Sequence, residues 1–600
     1  MSFMFKPFPY DDPEAINRFD LPPGFQSTVV GGNEQVAQAL AKAVPEGGIL
    51  FLDGYVGAPF QMLCDRIAEI RPDAHFLAIA DAYKTSAELD EMLAPSLPTD
   101  RDIDPILLFG KCHHFEVESL FSENGLTAFA KRLEGEKNNG VLTVVYGNGC
   151  AIRALRPLAD TIAYLDVNAL HATLRIRARK CRNIGDNQVR PLPEVLRRMY
   201  YYDYEIMMQH RDEALASGQI AFYIDSNREC RLKALPGGQL QSLLDQLAAR
   251  PFRCTPVYIE GVWGGHFVQK LRHLPADMKN CAWVFDMIPN EVSVQVQCGM
   301  DILNLPFTMV FKQRPDAIIG PESTARFGKY FPIRFNYDDT YGGSGNMSIQ
   351  VHPPKAYNNE HFGEPFQQDE SYYCVKTAGS RTYLGLQDGC NVPEFFDCIH
   401  RAEREHIPFD HDKYVNSFPS EEGDQFLLPG GTIHASGRNQ VVLEIGSYTI
   451  GSYTFKLYDY LRKDLDGNPR PIHSRHGENV LVTDRRRSTV DGVLRPRPKL
   501  LRSGEGWKEE LLGEHDLIYF SLRRLSFDHA VQDTTRGAKF HTLVLTKGDE
   551  ILIYSRRDPS HCYHAKYMDM VLVPASVGEY GIINLGTTPC EVHKTMLKEE

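Results

Sequence analysis

Residues 347–353 read MSIQVHP, a short run in which apolar and polar residues alternate up to a proline. Such alternation predicts a β-strand with one face turned toward a core, because successive side chains of a strand point to opposite faces. Gln350 and His352 are two positions apart, so their side chains share a face. The stretch therefore predicts a strand that presents an amide and an imidazole side by side.

Two further residues complete a candidate metal site. Glu370 lies in the segment DESYY, and His434 lies in PGGTIHA at 429–435. Two imidazoles, one carboxylate and one amide oxygen suit a borderline divalent metal, and such a set leaves room for water or substrate. We therefore predict that Gln350, His352, Glu370 and His434 bind a metal ion.

The sequence from about residue 255 onward is rich in short strands. Runs such as VSVQVQCG (292–299), QFLLPGGTIHA (425–435) and QVVLEIG (440–446) are separated by Gly, Pro and Asp, while helical patterns become rare. This texture is typical of an antiparallel sandwich or barrel. We predict an all-β domain with some helices over 255–500, and a smaller β-barrel over 501–600.

The N-terminal third alternates strand and helix signals. GGILFLDGY (47–55), HFLAIAD (75–81), PILLFG (105–110) and VLTVVYGNG (141–149) are short apolar runs with helical patterns between them. Strands that alternate with helices predict a parallel sheet. We expect an α/β domain over 1–190.

The turn after the first of these strands stands where a phosphate-binding loop would stand. The stretch LDGYVGA at 52–58 resembles a degenerate P-loop of uridine-kinase-like folds, but Gly57 is followed by Ala58 and Pro59 instead of Lys and Ser or Thr. We do not expect ATP turnover there, and a plain strand–turn–helix is the alternative. A nucleotide or a phosphate could still bind at the helix N-terminus. The segment 191–254 is predicted to be a helical linker.

The order and spacing of the candidate metal ligands resemble those of type I mannose-6-phosphate isomerases, which are zinc enzymes of the cupin fold. Further matches are VWGG at 262–265, VLE at 442–444 and RPIH at 470–473. The resemblance covers about residues 255–500 and, more weakly, the rest of the chain. It implies a cupin double barrel and one zinc ion per chain. It also implies an aldose–ketose isomerisation of mannose 6-phosphate, or of a related sugar or sugar phosphate, through an enediolate.

The resemblance also identifies candidates for the base that moves a proton between C1 and C2 of the sugar. These candidates are Glu444, Lys355 and His473. Glu444 is the first choice, because a carboxylate beside a metal and cations can accept a proton without gaining net charge. Its alternative role is to orient His434 from outside the metal shell.

Four more residues are candidates for contacts with the substrate. Lys456, Arg462 and Arg470 could bind the enediolate or the phosphate, and each could instead form a surface ion pair. Trp263 either packs beneath the site or contacts the sugar. The predicted partner of the site is therefore a small sugar or sugar phosphate.

Two departures from the family pattern fall in the substrate pocket. The family usually has a Lys in the strand before the Gln-x-His motif, where this chain has Arg334 and Asn336. Near the closing strand the family has an Asp and an Arg, where this chain has Lys456. Because Arg and Lys contact phosphate differently, we expect the pocket to be altered while the metal site is kept.

The bulk composition argues against several classes of partner. The chain has 600 residues and a formal net charge of −13, which disfavours nucleic-acid binding because phosphate contacts need a positive field. No run approaches the ~20 apolar residues of a membrane span, and the start of the chain lacks a signal-peptide core. The 13 cysteines include no CxxC pair. We expect a cytoplasmic protein that binds neither nucleic acid nor membrane.

Two other functions are compatible with the same residues. A site with two His and one carboxylate also suits Fe(II), so a sugar epimerase or an oxygenase is one alternative. A regulatory protein that binds a sugar phosphate without turnover is the other. A pure binding module has no need of a Lewis acid, which favours the isomerase.

Overall fold

The structure is a computed structural model that describes residues 6–137, 140–328 and 330–598. Within these ranges an α/β region is followed by a central region of antiparallel sheets and by a C-terminal β-region. In the same ranges, no helix is both long and apolar enough to cross a membrane.

The α/β region is built on one seven-stranded sheet. Four of its strand pairs are parallel, and the two pairs at one edge are antiparallel. Helices cover both faces, because Leu50 and Phe51 of a central strand are both buried but belong to different apolar clusters. The strands in spatial order are Val30–Gly31, Lys233–Pro236, Phe222–Asp225, Thr161–Asp166, Ile49–Gly54, Thr143–Tyr146 and His75–Ala78. The helices are Asn33–Ala43, Phe60–Ile70, Ser86–Leu93, Glu123–Glu136, Ala169–Arg177, Leu192–Arg198, Tyr204–Ala216 and Gly237–Ala248.

The prediction of a strand at residues 105–110 is wrong. This segment consists of turns and irregular backbone. The ring of its Phe109 lies 5.4 Å from the ring of Phe455 and 6.0 Å from that of Tyr453, both in the central region. Its apolar residues therefore bury surface between two regions of the molecule instead of forming a sheet.

The segment 191–254 contains strands as well as the helices that we predict for it. Phe222–Asp225 pairs in parallel with Thr161–Asp166, and Lys233–Pro236 pairs next to it. The sheet thus takes strands from both sides of the boundary predicted at residue 190. The division of the chain into four domains stays a prediction.

The central region contains two antiparallel sheets whose buried apolar side chains share one cluster. The six strands of the larger sheet are, in spatial order, Gln425–Leu428, Glu370–Thr377, Gln440–Ser447, Ile333–Asp339, Trp283–Met287 and Val257–Ile259. The five strands of the smaller sheet are Val415–Pro419, Arg381–Leu386, His434–Ser436, Ile349–Val351 and Phe455–Tyr458. A separate three-stranded sheet is formed by Ile16–Asn17, Ser293–Cys298 and Asp301–Pro306. The helices are Phe267–Leu271, Phe307–Gln313, Pro315–Ile319, Pro321–Phe327, Lys355–Phe362, Val392–Glu405, Ser474–Val480 and Arg487–Val490.

The C-terminal region consists of one six-stranded and one four-stranded antiparallel sheet. The six strands are Lys499–Gly504, Trp507–Gly513, Phe520–Phe527, Cys590–Leu597, His541–Lys547 and Met570–Val573. The four strands are Ala530–Thr534, Glu579–Asn584, Glu550–Ser555 and Cys562–Lys566. Short 3-10 turns elsewhere in the chain are Pro13–Ala15, Phe25–Thr28, Ile79–Ala82, Val117–Leu120, Arg156–Leu158, His411–Lys413 and Ala575–Val577.

Candidate metal centre and its cavity

Three of the predicted metal ligands meet inside the central region. His352 Nε2 lies 2.9 Å from Glu370 Oε2, and His434 Nε2 lies 3.4 Å from the same oxygen. All three side chains are buried, and their ligand atoms lie within 4.8 Å of one another. The fourth predicted ligand, Gln350, pairs with His434 across the smaller sheet and places its Nε2 3.4 Å from His434 Nε2.

Backbone carbonyls fix the orientation of both imidazoles. His352 Nδ1 lies 3.0 Å from the carbonyl oxygen of Tyr453, and His434 Nδ1 lies 2.8 Å from that of Thr432. Gln368 Nε2 also lies 2.8 Å from His352 Nδ1, and it donates to Glu370 Oε1. With the hydrogen of each ring assigned to Nδ1, where it is donated to the carbonyl, the lone pair is left on Nε2. Burial lowers the pKa of His352, which keeps this ring neutral and able to act as a ligand.

The atoms of this set fit a divalent cation. His352 Nε2 and Glu370 Oε2 are buried and have no hydrogen-bond partner among the described residues. A lone pair on Nε2 that faces a carboxylate oxygen joins two acceptors, and a bound cation would stabilise that arrangement. Two nitrogen donors and one carboxylate are the donor types that borderline divalent metals prefer.

The carboxylate of Glu370 is held in its charged form by the groups around it. The Arg334 guanidinium donates to Oε1 of Glu370, and Gln368 Nε2 donates to the same oxygen at 3.0 Å. Burial acts to raise the pKa of Glu370, but the charge of the adjacent Arg334 guanidinium acts against it, and that pKa is held well below its usual value. The side chain is therefore an anionic ligand at neutral pH.

A pair of carboxyl groups, Asp338 and Glu444, lies next to the metal ligands. The strand Ile333–Asp339 turns Arg334, Asn336 and Asp338 to one face, and Asn336 pairs with Glu444 on the neighbouring strand. Burial raises the pKa of Asp338 to about 7 and that of Glu444 well above its usual value. The two carboxyls are hydrogen-bonded, so the pair carries a proton at neutral pH.

The candidate ligands open into one cavity that also collects several predicted substrate residues. Seven of the eleven predicted site residues line it, namely Trp263, Gln350, His352, Glu370, Glu444, Lys456 and Arg470. His434 lies behind this wall, in contact with Glu370. Trp263 is buried and meets Trp283 edge to face, at 4.5 Å between ring centroids.

Two cations at one end of the cavity differ in how they are paired. Arg470 donates to Asp459 and is nearly fully buried. Lys456 Nζ is buried without a hydrogen-bond partner among the described residues. Burial, reinforced by the charge of Arg470, lowers the pKa of Lys456 to about 8. An anionic group in the cavity would restore the interactions that this ammonium lacks.

The structure places the other three predicted site residues outside the cavity. Lys355 is exposed at the start of the helix Lys355–Phe362. His473 is buried behind Lys456, with its ring 5.1 Å from that of Phe109, and burial lowers its pKa well below the usual value. Arg462 pairs with Asp459 and donates to the backbone carbonyl of Asn346 at 2.7 Å.

Part of the cavity wall comes from residues that the sequence analysis misses. Tyr200, from a π-helical turn at Met199–Asp203, and Glu291 both line it. Burial raises the pKa of Glu291 to about 7. No sequence pattern marks either residue, because one belongs to a helical segment of the α/β region and the other to a turn. Asp338 and Gln368 could have been found, since each lies two positions from another residue facing the site.

At the N-terminal strand–turn–helix, the carboxylate of Asp53 already accepts the hydrogen bonds of nearby backbone N–H groups. Asp53 accepts hydrogen bonds from the backbone N–H groups of Gly54, Gly149 and Ala151, and lies 2.6 Å from His210 Nε2. These donors lie at the ends of neighbouring parallel strands, where a phosphate would need them free. The predicted nucleotide or phosphate site is left without support.

Parts of this chain are similar to a known family and to known proteins. Domain of unknown function (DUF8485) matches residues 32–249. The mannose-6-phosphate isomerase of Streptococcus mutans is 26% identical over 223 residues, which are 37% of this chain and 64% of that protein. The ManA mannose-6-phosphate isomerase of Bacillus subtilis is 25% identical over 240 residues, which are 39% of this chain and 69% of that protein.

Part of this chain is similar to mannose-6-phosphate isomerases. The chain spans slightly less than two thirds of the length of the Streptococcus mutans relative. Among solved structures, the mannose 6-phosphate isomerase from Bacillus subtilis aligns with 58% of this chain and 99% of its own, at 19% identity and a TM-score of 0.47.

Proposed function

We propose that the chain is a metal-dependent aldose–ketose isomerase that interconverts mannose 6-phosphate and fructose 6-phosphate. The observation that carries this proposal is the buried set of His352, Glu370 and His434 beside a cavity that contains the buried cation Lys456. The similarity to curated mannose-6-phosphate isomerases supports the same reaction. A phosphorylated substrate also fits the positive charge of Lys456 and Arg470.

The metal is proposed to be zinc, one ion per chain, held by Gln350, His352, Glu370 and His434. Zinc takes imidazole and carboxylate ligands, and a catalytic site keeps a position for water or substrate. When bound, zinc supplies Lewis acidity that polarises the sugar carbonyl and stabilises the charge of an enediolate. The backbone contacts of His352 and His434 hold their Nε2 atoms ready for the ion.

Glu444 is proposed to carry the proton that moves between C1 and C2 of the sugar. Its pKa is raised, and its hydrogen bond with Asp338 lets the pair hold one proton in either position. A carboxyl group whose pKa is raised is protonated over a wider range of pH and can therefore give a proton as well as accept one. Arg334, 3.8 Å from Glu444, is placed to limit the charge that develops when the proton leaves.

Lys456 and Arg470 are proposed to bind the phosphate or the enediolate oxygens. Asp459 receives Arg470 and Arg462 together, so Arg462 positions Arg470 without touching the cavity. Trp263 is proposed to form the apolar wall against which the sugar packs. Direct roles for Lys355, His473 and Arg462 stay predictions from the sequence.

The first experiment measures metal and turnover on the same preparation. Purified protein should contain about one zinc per chain, and conversion of mannose 6-phosphate to fructose 6-phosphate should stop when a chelator removes the metal. His352→Ala and His434→Ala should each lose both, while His529→Ala, at an exposed histidine of the C-terminal region, should lose neither.

Three outcomes would replace this proposal. Full activity in His352→Ala or His434→Ala, or turnover that resists the chelator, would show that these residues do not hold a catalytic metal. Bound zinc and sugar-phosphate binding without turnover would instead favour a regulatory protein. Oxygen consumption by the iron-loaded protein would favour an oxygenase on the same ligands.

A further inference from the structure

A second cavity lies in the C-terminal region, away from the metal centre. It has a volume of about 1280 Å³ and is formed between the helix Pro321–Phe327 and the six-stranded sheet. The space is large enough for a small metabolite. None of its described lining residues belongs to the cavity at the metal centre.

The lining of this cavity is strongly cationic. Among the described residues, seven Lys and Arg side chains line it, against the acidic side chains Glu322, Glu509 and Asp533. The whole chain has a formal net charge of −13, so this local excess of positive charge runs against the average of the molecule. A concave surface with one sign of charge concentrates small ions of the opposite sign.

The strongest sign of a binding site is a pair of like charges placed opposite each other. Arg523 and Lys594 face one another across two antiparallel strands. Like charges in directly opposed positions destabilise a sheet, so such a pair needs a compensating anion. Within the protein one carboxylate bridges the two cations, since Glu509 Oε1 lies 2.5 Å from Lys594 Nζ and 3.5 Å from Arg523.

The same carboxylates serve a third cation. Arg502 donates to Glu509 and, at 2.9 Å, to Asp533, while Lys594 Nζ lies 2.6 Å from Asp533. Three cations therefore share two carboxylates at the floor of the cavity. Lys594 and Glu509 are almost completely buried, which makes the unbalanced charge costly unless a further anion approaches.

We propose that this cavity binds a small, multiply charged phosphate compound, with Arg502, Arg523 and Lys594 as its principal contacts. Guanidinium groups bind phosphate oxygens in pairs, and the Lys594 ammonium adds a point charge. His541 also lines the cavity, and its Nδ1 is 2.8 Å from the Tyr580 hydroxyl, which leaves Nε2 for a ligand. The site is separate from the metal centre and gives the C-terminal region a binding role of its own.

The test uses the full-length protein and pyrophosphate as the probe. Calorimetric titration at low ionic strength should show binding that weakens as salt is added. Arg523→Gln should weaken it about tenfold or more, as expected for the loss of one charge-assisted contact. Arg556→Gln is the matched control, because Arg556 is an exposed arginine of the same region that pairs with Glu579 outside the cavity.

A second variant separates this site from the metal centre, which could also attract a phosphate compound. Lys456→Met removes the buried cation of the metal cavity and should leave the pyrophosphate affinity of the C-terminal site unchanged. Loss of all binding in Lys456→Met, with none lost in Arg523→Gln, would overturn the proposal. That result would leave the proposed isomerase intact, since it would assign the anion to the metal cavity.

Hydrogen exchange on the unmodified protein gives a readout that does not depend on the folding of a variant. Pyrophosphate should slow amide exchange in Phe520–Phe527 and Cys590–Leu597, the two strands that carry Arg523 and Lys594. Protection confined to Ile349–Val351 and Phe455–Tyr458, or no protection at all, would refute a C-terminal anion site.

Discussion

At the scale of single residues, the proton on the Asp338–Glu444 pair is the feature with the most direct chemical consequence. Glu444→Gln keeps the size of the side chain and the fold but removes the exchangeable proton of the carboxyl group. We expect turnover to fall by ~10²–10⁴-fold, the usual contribution of an acid–base residue, while bound metal stays at the wild-type level. Steady-state kinetics with metal analysis of the same sample checks this.

A matched substitution tests whether Glu444 itself carries the proton. Asp338→Asn removes the partner carboxyl and should lower turnover less, because Glu444 keeps its own proton site. Wild-type turnover in Glu444→Gln would exclude it as the proton carrier and direct attention to Glu291, the other carboxyl in the cavity wall whose pKa is raised.

The buried ammonium of Lys456 predicts a pH dependence of substrate binding. Its pKa is about 8, so the group is charged below pH 8 and loses its proton as the pH rises through that value. If the ammonium binds the phosphate, KM should rise above pH 8 while kcat changes less. KM measured from pH 6.5 to 9.5 checks this expectation.

The variant Lys456→Arg supplies the control, because a guanidinium stays charged throughout this range. Its KM should be nearly independent of pH, even if it is higher than that of the wild type at pH 7. An equal rise of KM in both proteins would mean that another group titrates, and Lys456 would then have no role in binding.

At the scale of elements, a buried carboxyl joins the end of the helix Lys355–Phe362 to its surroundings. Glu364 accepts hydrogen bonds from the backbone N–H groups of Gly451 and Phe366, and the Cys112 thiol lies 3.6 Å away. Burial raises its pKa to about 7. The group is therefore neutral in the folded protein at pH values where it is ionised in the unfolded chain.

This shift makes the region less stable at high pH. The unfolded chain releases the proton near pH 4.5 and the folded protein only near pH 7, so stability falls as the pH rises between these values and is level above. The fall is about 3 kcal/mol at most. Glu364→Gln should remove this pH-dependent loss of stability. The variant should therefore have a higher melting temperature than the wild type at pH 8, and the two proteins should have similar melting temperatures at pH 4. Identical melting profiles of the two proteins from pH 4 to 8 would contradict this.

At the scale of elements, strand periodicity in the sequence predicts part of the site and fails for another segment. Strand alternation was sufficient to turn Gln350 and His352 to one face, and the period of the larger sheet accounts for Arg334, Asn336 and Asp338. The same signal fails for residues 105–110. An apolar run reports burial, but it does not distinguish burial in a sheet from burial against another region.

The far wall of the cavity could not be predicted for a related reason. Tyr200 reaches it from a π-helical turn of the α/β region and Glu291 from a turn between strands of the central region. Local sequence patterns encode which face of an element is buried, but they do not encode which distant element covers it. Similarly, the spacing of Lys355 and His473 did not reveal that both residues lie outside the cavity lining.

At the scale of the whole molecule, the α/β region is in contact with the support of the metal centre. The Tyr453 hydroxyl donates to the carbonyl of Gly110 at 3.2 Å, and the Tyr453 carbonyl accepts from His352. Phe109 packs against Tyr453 and Phe455 on the same side. Tyr453 thus connects the α/β region to the orientation of the candidate metal ligand His352.

This connection predicts that a change in the α/β region alters the metal centre. Phe109→Ala should cost about 3–5 kcal/mol of stability, as for other buried aromatic residues, and should also weaken metal binding. Phe129→Ala, in the core of the same region, should cost a similar amount without affecting the metal. Equal metal affinities in the two variants would show that the contact is structural only.

The chain has three tryptophans, and their positions make them natural optical probes. Trp263 and Trp283 meet edge to face in the wall of the metal cavity, whereas Trp507 lies against the Arg502 guanidinium, 5.4 Å from ring centroid to carbon, beside the C-terminal cavity. Their intrinsic fluorescence therefore divides between the two cavities. In Trp507→Phe, the remaining emission reports the metal cavity alone, so the filling of each cavity can be followed by light without any added dye.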